Sequence, residues 1–178
     1  MATQPPNTAL VILVREFEPI VSKLRLQYDP SARQGMQAHI TTLIPFVKPV
    51  SLNAEILEKT ANIIAQHSPF TFSFHKIGQF PGVVYFSPSN TSPFIELTNT
   101  IYHNFPEYPP YEGKVEAIIP HMTVGYAKNK EIQNNLAKQA KHLLSKNSDI
   151  SCTVNEITLI ENLTGQWKKK EVFPLKNI

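Results

Sequence analysis

One short pattern occurs twice in this chain of 178 residues and restricts the folds open to it. It consists of histidine, an apolar residue and threonine inside a mostly apolar, β-prone run. The two stretches are Ala38–Phe46 and Ile119–Tyr126. Because side chains alternate between the faces of a strand, His39 and Thr41 share one face, as do His121 and Thr123. The histidines are 82 positions apart, so we predict a fold that brings two distant strands to one cleft.

The elements predicted around these stretches follow the same order in each copy. Hydrophobic patterning indicates strand, helix, histidine strand, helix and strand, twice over. A buried strand is expected at Ala9–Val14 and a half-buried one at Phe70–His75, whose phenylalanines point inward. Asn129 is predicted to cap a helix, and Ser51 or Asn53 to cap its counterpart in the first copy.

A repeated unit of this kind predicts an α+β fold with two similar lobes, each of which offers one histidine to a shared groove. The first copy covers about 9–78 and the second about 83–160. We expect a single bilobed domain. Its predicted parts are a flexible leader over 1–8, a first lobe over 9–78 and a second lobe over 83–173, within a domain of 1–178.

Composition excludes several classes of protein. The single cysteine, Cys152, rules out a disulfide framework and a four-cysteine metal site. No apolar run approaches the ~20 residues that span a bilayer, and the N-terminal stretch lacks the basic region of a signal peptide. We therefore expect a cytoplasmic protein that is not bound to a membrane. The net charge of +3 permits an anionic ligand.

Two facing histidines suit general acid–base chemistry. Imidazole changes charge near neutral pH, so one ring can be neutral while the other carries a proton. Such a pair supplies the base and the acid of a single displacement. Hydroxyls of Thr41 and Thr123 can donate hydrogen bonds to anionic oxygens. The arrangement fits an in-line displacement at phosphorus, with the threonines on the non-bridging oxygens.

The two stretches resemble the paired His-x-Thr-x signatures of the two-histidine (2H) phosphoesterases, the superfamily of 2′-5′ RNA ligase-like proteins and cyclic nucleotide phosphodiesterases. The resemblance extends over roughly 9–173. It implies a bilobed fold with a pseudo-twofold axis and a central cleft. It also implies catalysis by His39 and His121, phosphate binding by Thr41 and Thr123, and no metal or other cofactor. Which histidine is the base stays open.

Two positions depart from the family pattern. Thr42 occupies the fourth position of the first signature, where the family prefers an apolar residue; alternation turns it away from the cleft. Shortly after the second signature the chain has Gly125-Tyr126, where RNA ligase-like members often carry an arginine. This difference favours hydrolysis over RNA ligation.

Other residues have a functional and a structural interpretation. Tyr126 and Phe46 are the candidates for stacking on a base, because each lies close to a signature. The run Lys168–Lys170 could contact phosphates, although an exposed strand end explains it equally well. The loop Pro106–Gly113 could line the cleft. A metal site is disfavoured because no His-Glu-x-x-His occurs and no acidic residue adjoins either signature.

The sequence thus predicts a metal-independent phosphodiesterase. Its expected reaction is the opening of 2′,3′-cyclic phosphates or the cleavage of 2′-5′-type phosphodiesters in nucleotides or RNA ends. Its expected partner is a nucleotide or RNA-end substrate, and the protein is expected to be a monomer. The alternatives are a non-catalytic nucleotide- or RNA-binding module of the same fold, a 2′-5′ RNA ligase, and a structural partner protein without a cleft.

Overall fold

Both histidine stretches form strands, and the elements around them follow the predicted order. The computed structural model describes residues 7–176. The strands are β1 Thr8–Leu13, β2 His39–Leu43, β3 Phe70–Phe72, β4 Phe74–Phe80, β5 Val83–Pro88, β6 Met122–Tyr126, β7 Cys152–Val154, β8 Glu156–Glu161 and β9 Lys168–Pro174. The helices are α1 Glu18–Tyr28, α2 Pro30–Arg33, α3 Ala54–Ile64, α4 Ser92–Asn104 and α5 Lys130–Ser145. The predicted α+β fold with a duplicated order of elements is confirmed.

The strands of residues 7–176 form three antiparallel sheets. The first sheet has the order β2-β1-β8-β9, the second has the order β4-β5-β6, and β3 pairs with β7. The long last strand of the first copy, β4, therefore lies in the second sheet, and β8 of the second copy lies in the first sheet. The predicted lobes at 9–78 and 83–173 do not coincide with the sheets, because the two copies exchange these strands.

The exchange takes place where each predicted third strand is interrupted. The run predicted as one strand at Phe70–His75 is two strands, β3 and β4, separated at Ser73. In the second copy, Asn155 separates β7 from β8 in the same way. The short strands β3 and β7 pair with each other, with Thr71 opposite Thr153. Beyond these short strands, each chain segment enters the sheet of the other copy.

Matching caps begin the second helix of each copy. The side chain of Asn53 accepts a hydrogen bond from the backbone N–H of Ile56 at 2.9 Å. The side chain of Asn129 accepts one from Ile132 at the same distance. These bonds satisfy backbone donors that have no partner inside a helix, so the asparagines fix where α3 and α5 begin.

The first strand begins at Thr8, one residue before the predicted start. The Thr8 side chain is buried, and its hydroxyl donates to the carbonyl of Val47 at 2.6 Å. The backbone N–H of Asn7 donates to the side chain of Asn162. Of the leader predicted over 1–8, residues 1–6 lie outside the described residues, while Asn7 and Thr8 are part of the ordered fold.

Aromatic rings fill the core between the helices and the sheets. Phe74 packs edge-on against Phe17, with ring centroids 4.9 Å apart. Phe46 belongs to the same core: it is only 2% exposed and packs against Phe105 at 5.1 Å. The prediction that Phe46 stacks on a substrate base is therefore wrong, because no part of its ring is free for a ligand.

A β-bulge follows the threonine of each histidine stretch. Val11 is opposite Thr41 and Leu10 is opposite Leu43, so Thr42 is an extra residue of β2. In β6, Val124 is the extra residue in the same place. A bulge increases the local twist and redirects the neighbouring side chains, and bulges are frequent beside active sites.

Candidate active site

The histidine and the threonine of each stretch point to the same side of their sheet. In the first sheet His39 is opposite Leu13 and Thr41 is opposite Val11. The four signature side chains are all half-buried, with fully buried neighbours between them. β2 lies next to β6, so the two copies of the motif adjoin where the sheets meet. His121 immediately precedes β6 rather than lying within it.

Both imidazoles are held in the same way. His39 Nδ1 lies 2.7 Å from the carbonyl oxygen of Gln37, and His121 Nδ1 lies 2.6 Å from that of Ile119. A carbonyl oxygen only accepts hydrogen bonds, so each Nδ1 carries the proton. The tautomer is thereby fixed, and Nε2 of each neutral ring is left to exchange a proton with a ligand.

Burial favours the neutral form of both rings. The pKa of His39 is lowered to about 4, chiefly by burial; the positive charges of Arg25 and His121 also lower it, while the hydrogen bond to Gln37 and the negative charge of Asp29 raise it. Burial also lowers the pKa of His121. The charges of Arg25 and Asp29 act on His39 and not on His121, and they shift the pKa of His39 in opposite directions.

The cation beside His39 belongs to a buried ion pair in α1. Arg25 and Asp29 are each 1% exposed, with Arg25 Nη2 2.7 Å from Asp29 Oδ2. Arg25 also donates to the carbonyl of Met36 at 2.9 Å. These bonds connect α1 to the segment that leads into β2. Breaking one partner of such a pair leaves an uncompensated buried charge, so this support for the His39 strand is rigid.

Each signature threonine has a tyrosine hydroxyl as a neighbour. Tyr111 lies near Thr41 and Tyr126 lies near Thr123, and each threonine hydroxyl lowers the pKa of its tyrosine against the larger effect of burial. Burial raises the pKa of both tyrosines, so both remain protonated donors at neutral pH. Tyr111 reaches Thr41 from the loop before the second stretch, where Tyr111 itself has a φ of 51°. A non-glycine residue in this left-handed region is strained and is often held there at functional sites.

A cleft of about 530 Å³ adjoins the second signature. Its polar wall includes His121, Thr123, Tyr111 and Tyr126. The rest of the lining is mostly apolar and consists of Phe80, Val83, Val115, Glu116, Ala117 and Ile119. The structure thus brings the predicted residues His121, Thr123 and Tyr126 to one cavity. His39 and Thr41 do not line it. Tyr111 of its wall is joined to the segment that follows β2, because its backbone N–H donates to the carbonyl of Ile44 at 2.7 Å.

Aromatic rings support His121. The ring centroid of Phe80 lies 5.2 Å from that of His121, and that of Tyr85 lies 5.1 Å away. Gly78 makes room for Tyr85, since a Cβ atom at this glycine would be 2.2 Å from the tyrosine ring. In the first sheet Val11 and Ile160 occupy the positions that correspond to Tyr85 and Phe80.

Sequence reasoning missed Phe80 and Tyr111 as residues of the site. The proline-rich loop that holds Tyr111 was a candidate for lining the cleft, and this part of the prediction is confirmed by the position of Tyr111. Tyr111 and Thr41 are distant in the sequence, and no local pattern signals that they lie near each other. Phe80 ends a strand with period-two patterning, which does not distinguish a core ring from one that supports a histidine.

Three further observations concern metal binding, the single cysteine and membrane-spanning helices. Within residues 7–176, no three His, Cys, Asp or Glu side chains group closely enough to hold a metal ion. Burial raises the pKa of the Cys152 thiol to about 12, so it is an inert core group. No helix in this part of the chain combines the length and apolarity needed to cross a membrane.

A duplicated α+β fold, with one His-x-Thr pair from each copy beside a cleft, defines the two-histidine class of phosphoesterases. The family model of the 2′-5′ RNA ligase superfamily matches residues 13–166, and the chain belongs to this superfamily. The resemblance noted in the sequence is therefore confirmed.

Solved structures share the fold. Escherichia coli LigT in complex with 3′-AMP superposes with a TM-score of 0.60 at 16% identity and covers 98% of this chain and 100% of its own. The protein TT0787 of Thermus thermophilus gives a TM-score of 0.64 at 14% identity and covers 96% of this chain and 98% of its own. No match to a curated protein sequence was found.

Proposed function

We propose that this protein is a metal-independent phosphodiesterase that opens 2′,3′-cyclic phosphates, or cleaves 2′-5′-type phosphodiesters, in nucleotides or at RNA ends. One observation carries the proposal: two imidazoles on matching strands have the same bond from Nδ1 to the carbonyl two residues earlier. This bond fixes the tautomer that proton transfer at Nε2 requires. Each imidazole also has a threonine hydroxyl two residues on, on the same face.

We assign the base to His39 and the acid to His121. An anionic phosphate favours a proton on one of the two rings, and the pKa of His39, which is lowered to about 4 chiefly by burial, disfavours that proton on His39. The pair therefore binds substrate with His39 neutral and His121 protonated. His39 Nε2 takes a proton from water, whose oxygen forms a bond to phosphorus. The bond from phosphorus to the ribose 3′-oxygen breaks, and His121 donates its proton to that oxygen, which leaves a 2′-phosphate.

Four hydroxyls are suited to stabilise the charge on the non-bridging oxygens. Thr41 and Thr123 are the predicted phosphate ligands, and Tyr111 and Tyr126 lie beside them. Each of these hydroxyls can donate a hydrogen bond to an anionic oxygen. Preorganised donors of this kind stabilise a phosphoryl transition state without further rearrangement.

The substrate class is proposed from the cleft and from the relatives. The cavity beside His121 has apolar walls and a few polar groups, which suits a nucleoside. Structures of E. coli LigT contain 3′-AMP, NADP+ and ATP. Such a nucleoside would bring both ribose oxygens of a cyclic phosphate to the side of His121, where the proposed acid lies.

The experiment is turnover of a nucleoside 2′,3′-cyclic phosphate, followed as release of the 2′-phosphate product. His39→Ala and His121→Ala should each lower kcat by about 10²- to 10⁴-fold, the usual contribution of one acid or base. His103→Ala and His142→Ala are matched controls on exposed helix positions and should retain wild-type turnover. Addition of a chelator should leave the wild-type rate unchanged. Wild-type turnover by His121→Ala would contradict the proposal.

A non-catalytic nucleotide-binding module is the second candidate. It is favoured by one observation, the lowered pKa of both imidazoles, since neither ring holds a proton at neutral pH before a ligand binds. This candidate predicts saturable binding of a nucleoside monophosphate with no turnover of any cyclic phosphate. RNA ligation is a weaker alternative, because Tyr126 stands where ligase-like members carry an arginine.

A further inference from the structure

The beginning of β9 extends the sheet face that carries His39 and Thr41. Residues directly opposite each other in antiparallel strands project to the same face. Thr41 is opposite Val11, and Ala9, two residues from Val11 on the same strand, is opposite Ile160. Ile160 is in turn opposite Lys169 of β9. Lys169 therefore shares a face with Thr41 at the far side of the four-stranded sheet.

Trp167 lies on this same face, two residues before Lys169. It is partly exposed and packs on a small apolar cluster separate from the main core. The buried members of the cluster are Ala9, Val11, Met36 and Ile160, and its partly buried members are Leu13, Ile44 and Trp167. The backbone N–H of Trp167 donates to the carbonyl of Gln34 at 2.7 Å. Since Gln34 is five residues before His39, this bond fixes the tryptophan against the segment that leads into the histidine strand.

The charge beside Trp167 is positive. Lys168, Lys169 and Lys170 are all exposed. Lys170 is the extra residue of a bulge, and its Nζ lies 3.5 Å from Glu161, on the opposite face from Lys169. Among the described residues, Lys170 is the only one of these three lysines that forms an ion pair. Lys169, which forms no ion pair with any of the described residues, therefore lies beside a partly exposed indole on the face of the candidate active site.

We propose that Trp167 and Lys169 bind the RNA strand on the 5′ side of the reacting nucleotide. In the first sheet β9 is three strands away from β2. At about 4.8 Å per strand, the distance between β2 and β9 is about 14 Å, which a few nucleotides can span. Single-stranded nucleic acid is bound by stacking of its bases on aromatic rings and by cations along its backbone. The inference rests on the proposed function and narrows its substrate class to oligoribonucleotides that end in a cyclic phosphate.

Protection of an edge strand explains only part of this arrangement. Lysines on an edge strand prevent pairing with another sheet, and β9 is an edge of the first sheet. That role needs no aromatic ring, and it is served by lysines on either face. It does not account for a partly exposed tryptophan beside the lysine on the face of the site. An RNA strand accounts for both residues.

The first test uses Trp167 as its own probe, because it is the only tryptophan of the chain. A short single-stranded oligoribonucleotide is titrated into the His121→Ala protein, which does not consume it, and tryptophan fluorescence is recorded. We expect saturable quenching by the oligoribonucleotide and little quenching by a nucleoside monophosphate. An oligoribonucleotide that binds without changing the fluorescence, or that does not bind, would overturn the proposal.

The second test compares an oligoribonucleotide ending in a 2′,3′-cyclic phosphate with the corresponding mononucleotide. Trp167→Ala should lower the ratio of their kcat/KM values by about 5- to 150-fold, the range expected for loss of one stacked base. Trp167→Phe retains an aromatic ring over the apolar cluster and should restore most of the ratio. An unchanged ratio in Trp167→Ala would overturn the proposal.

Two lysine variants that remove the same charge at different positions test whether the position of the cation matters for RNA binding. Lys169→Gln should weaken oligoribonucleotide binding and reduce its salt dependence by about one phosphate contact, a change of ~0.7 in the slope of log K against log salt. Lys170→Gln removes the same charge on the opposite face and should change the slope much less. Equal effects of both variants would count against the proposed path. If the wild-type protein turns over neither the oligoribonucleotide nor the mononucleotide, the proposed function fails. The quenching of Trp167 fluorescence and the salt dependence of oligoribonucleotide binding still decide whether Trp167 and Lys169 bind RNA.

Discussion

At the scale of single residues, alternation along a strand was enough to predict that the histidine and the threonine of each signature share one face. His39 and His121 are the only histidines of the sequence that are followed by an apolar residue and a threonine, and the structure turns each histidine and its threonine to one face. Phe46 shows the limit of this reasoning. A phenylalanine next to a signature is compatible with a core position and with a stacking position, and only tertiary packing decides between them.

Thr42 departs from the family pattern, and its buried hydroxyl lowers the stability of the fold. Its hydroxyl is buried, and it has no hydrogen-bond partner among the described residues. An unsatisfied buried polar group costs about 1–3 kcal/mol. The second copy has a buried valine, Val124, in the matching bulge.

We therefore predict that Thr42→Val raises the free energy of unfolding by about 1 kcal/mol without loss of turnover. Chemical denaturation of both proteins measures the change. Thr98→Val is the matched control: Thr98 is equally buried, but its hydroxyl donates to the carbonyl of Phe94 at 2.9 Å, so its replacement should not stabilise the protein. A less stable Thr42→Val variant would show that the hydroxyl has a partner.

His39 also makes stability depend on pH. Its pKa is about 4 in the folded protein and about 6.5 in the unfolded chain. Between these values the unfolded chain binds more protons, so the free energy of unfolding rises with pH over this window and falls as pH drops through it. The loss from pH 7 to pH 4 is about 3 kcal/mol for this one ring.

The matching prediction is that His39→Gln flattens the dependence of stability on pH between about 4 and 6.5. Denaturation midpoints of wild type, His39→Gln and the exposed-site control His142→Gln across this window measure it. The control should follow the wild-type curve. Parallel curves for wild type and His39→Gln would mean that the ring titrates normally in the folded protein.

At the scale of helices and strands, local chemistry predicted where elements begin and not how they pair. Asn53 and Asn129 cap helices because an asparagine side chain satisfies the first free backbone donors, a relation that lies within four residues. Strand pairing depends on contacts between distant segments. The alternation at Phe70–His75 correctly indicates strand structure, yet it contains no information on which strand lies alongside.

The packing of helices on strands shows the same limit. α1 of the first copy packs on β6 of the second. The close approach depends on Gly125, where a Cβ atom would be 2.5 Å from the Cβ atom of Tyr28. In the sequence, Gly125-Tyr126 stands where RNA ligase-like members often carry an arginine. The structure gives the glycine a packing role and places Tyr126 in the wall of the same cavity as Thr123.

At the scale of the whole molecule, the exchange of strands joins the two copies into one cooperative unit. The first sheet needs β8 and β9, which come from the C-terminal part of the chain, and the second sheet needs β4, which comes from the N-terminal half. Each half alone therefore lacks strands of its own sheet and leaves apolar edges unpaired. The strands of the two signatures also adjoin, since β2 of the first sheet contacts β6 of the second.

This architecture predicts the behaviour of the separated halves. The fragments 1–81 and 82–178 should each be largely unfolded, since neither can complete a sheet. Mixed in equal amounts, they should regain strand and helix signals in circular dichroism and some turnover, because complementary strands restore both sheets and the shared cleft. Two lobes formed from contiguous sequence would instead give fragments that fold independently. A folded 1–81 fragment with sharp, dispersed amide NMR signals would therefore contradict strand exchange as the origin of cooperativity.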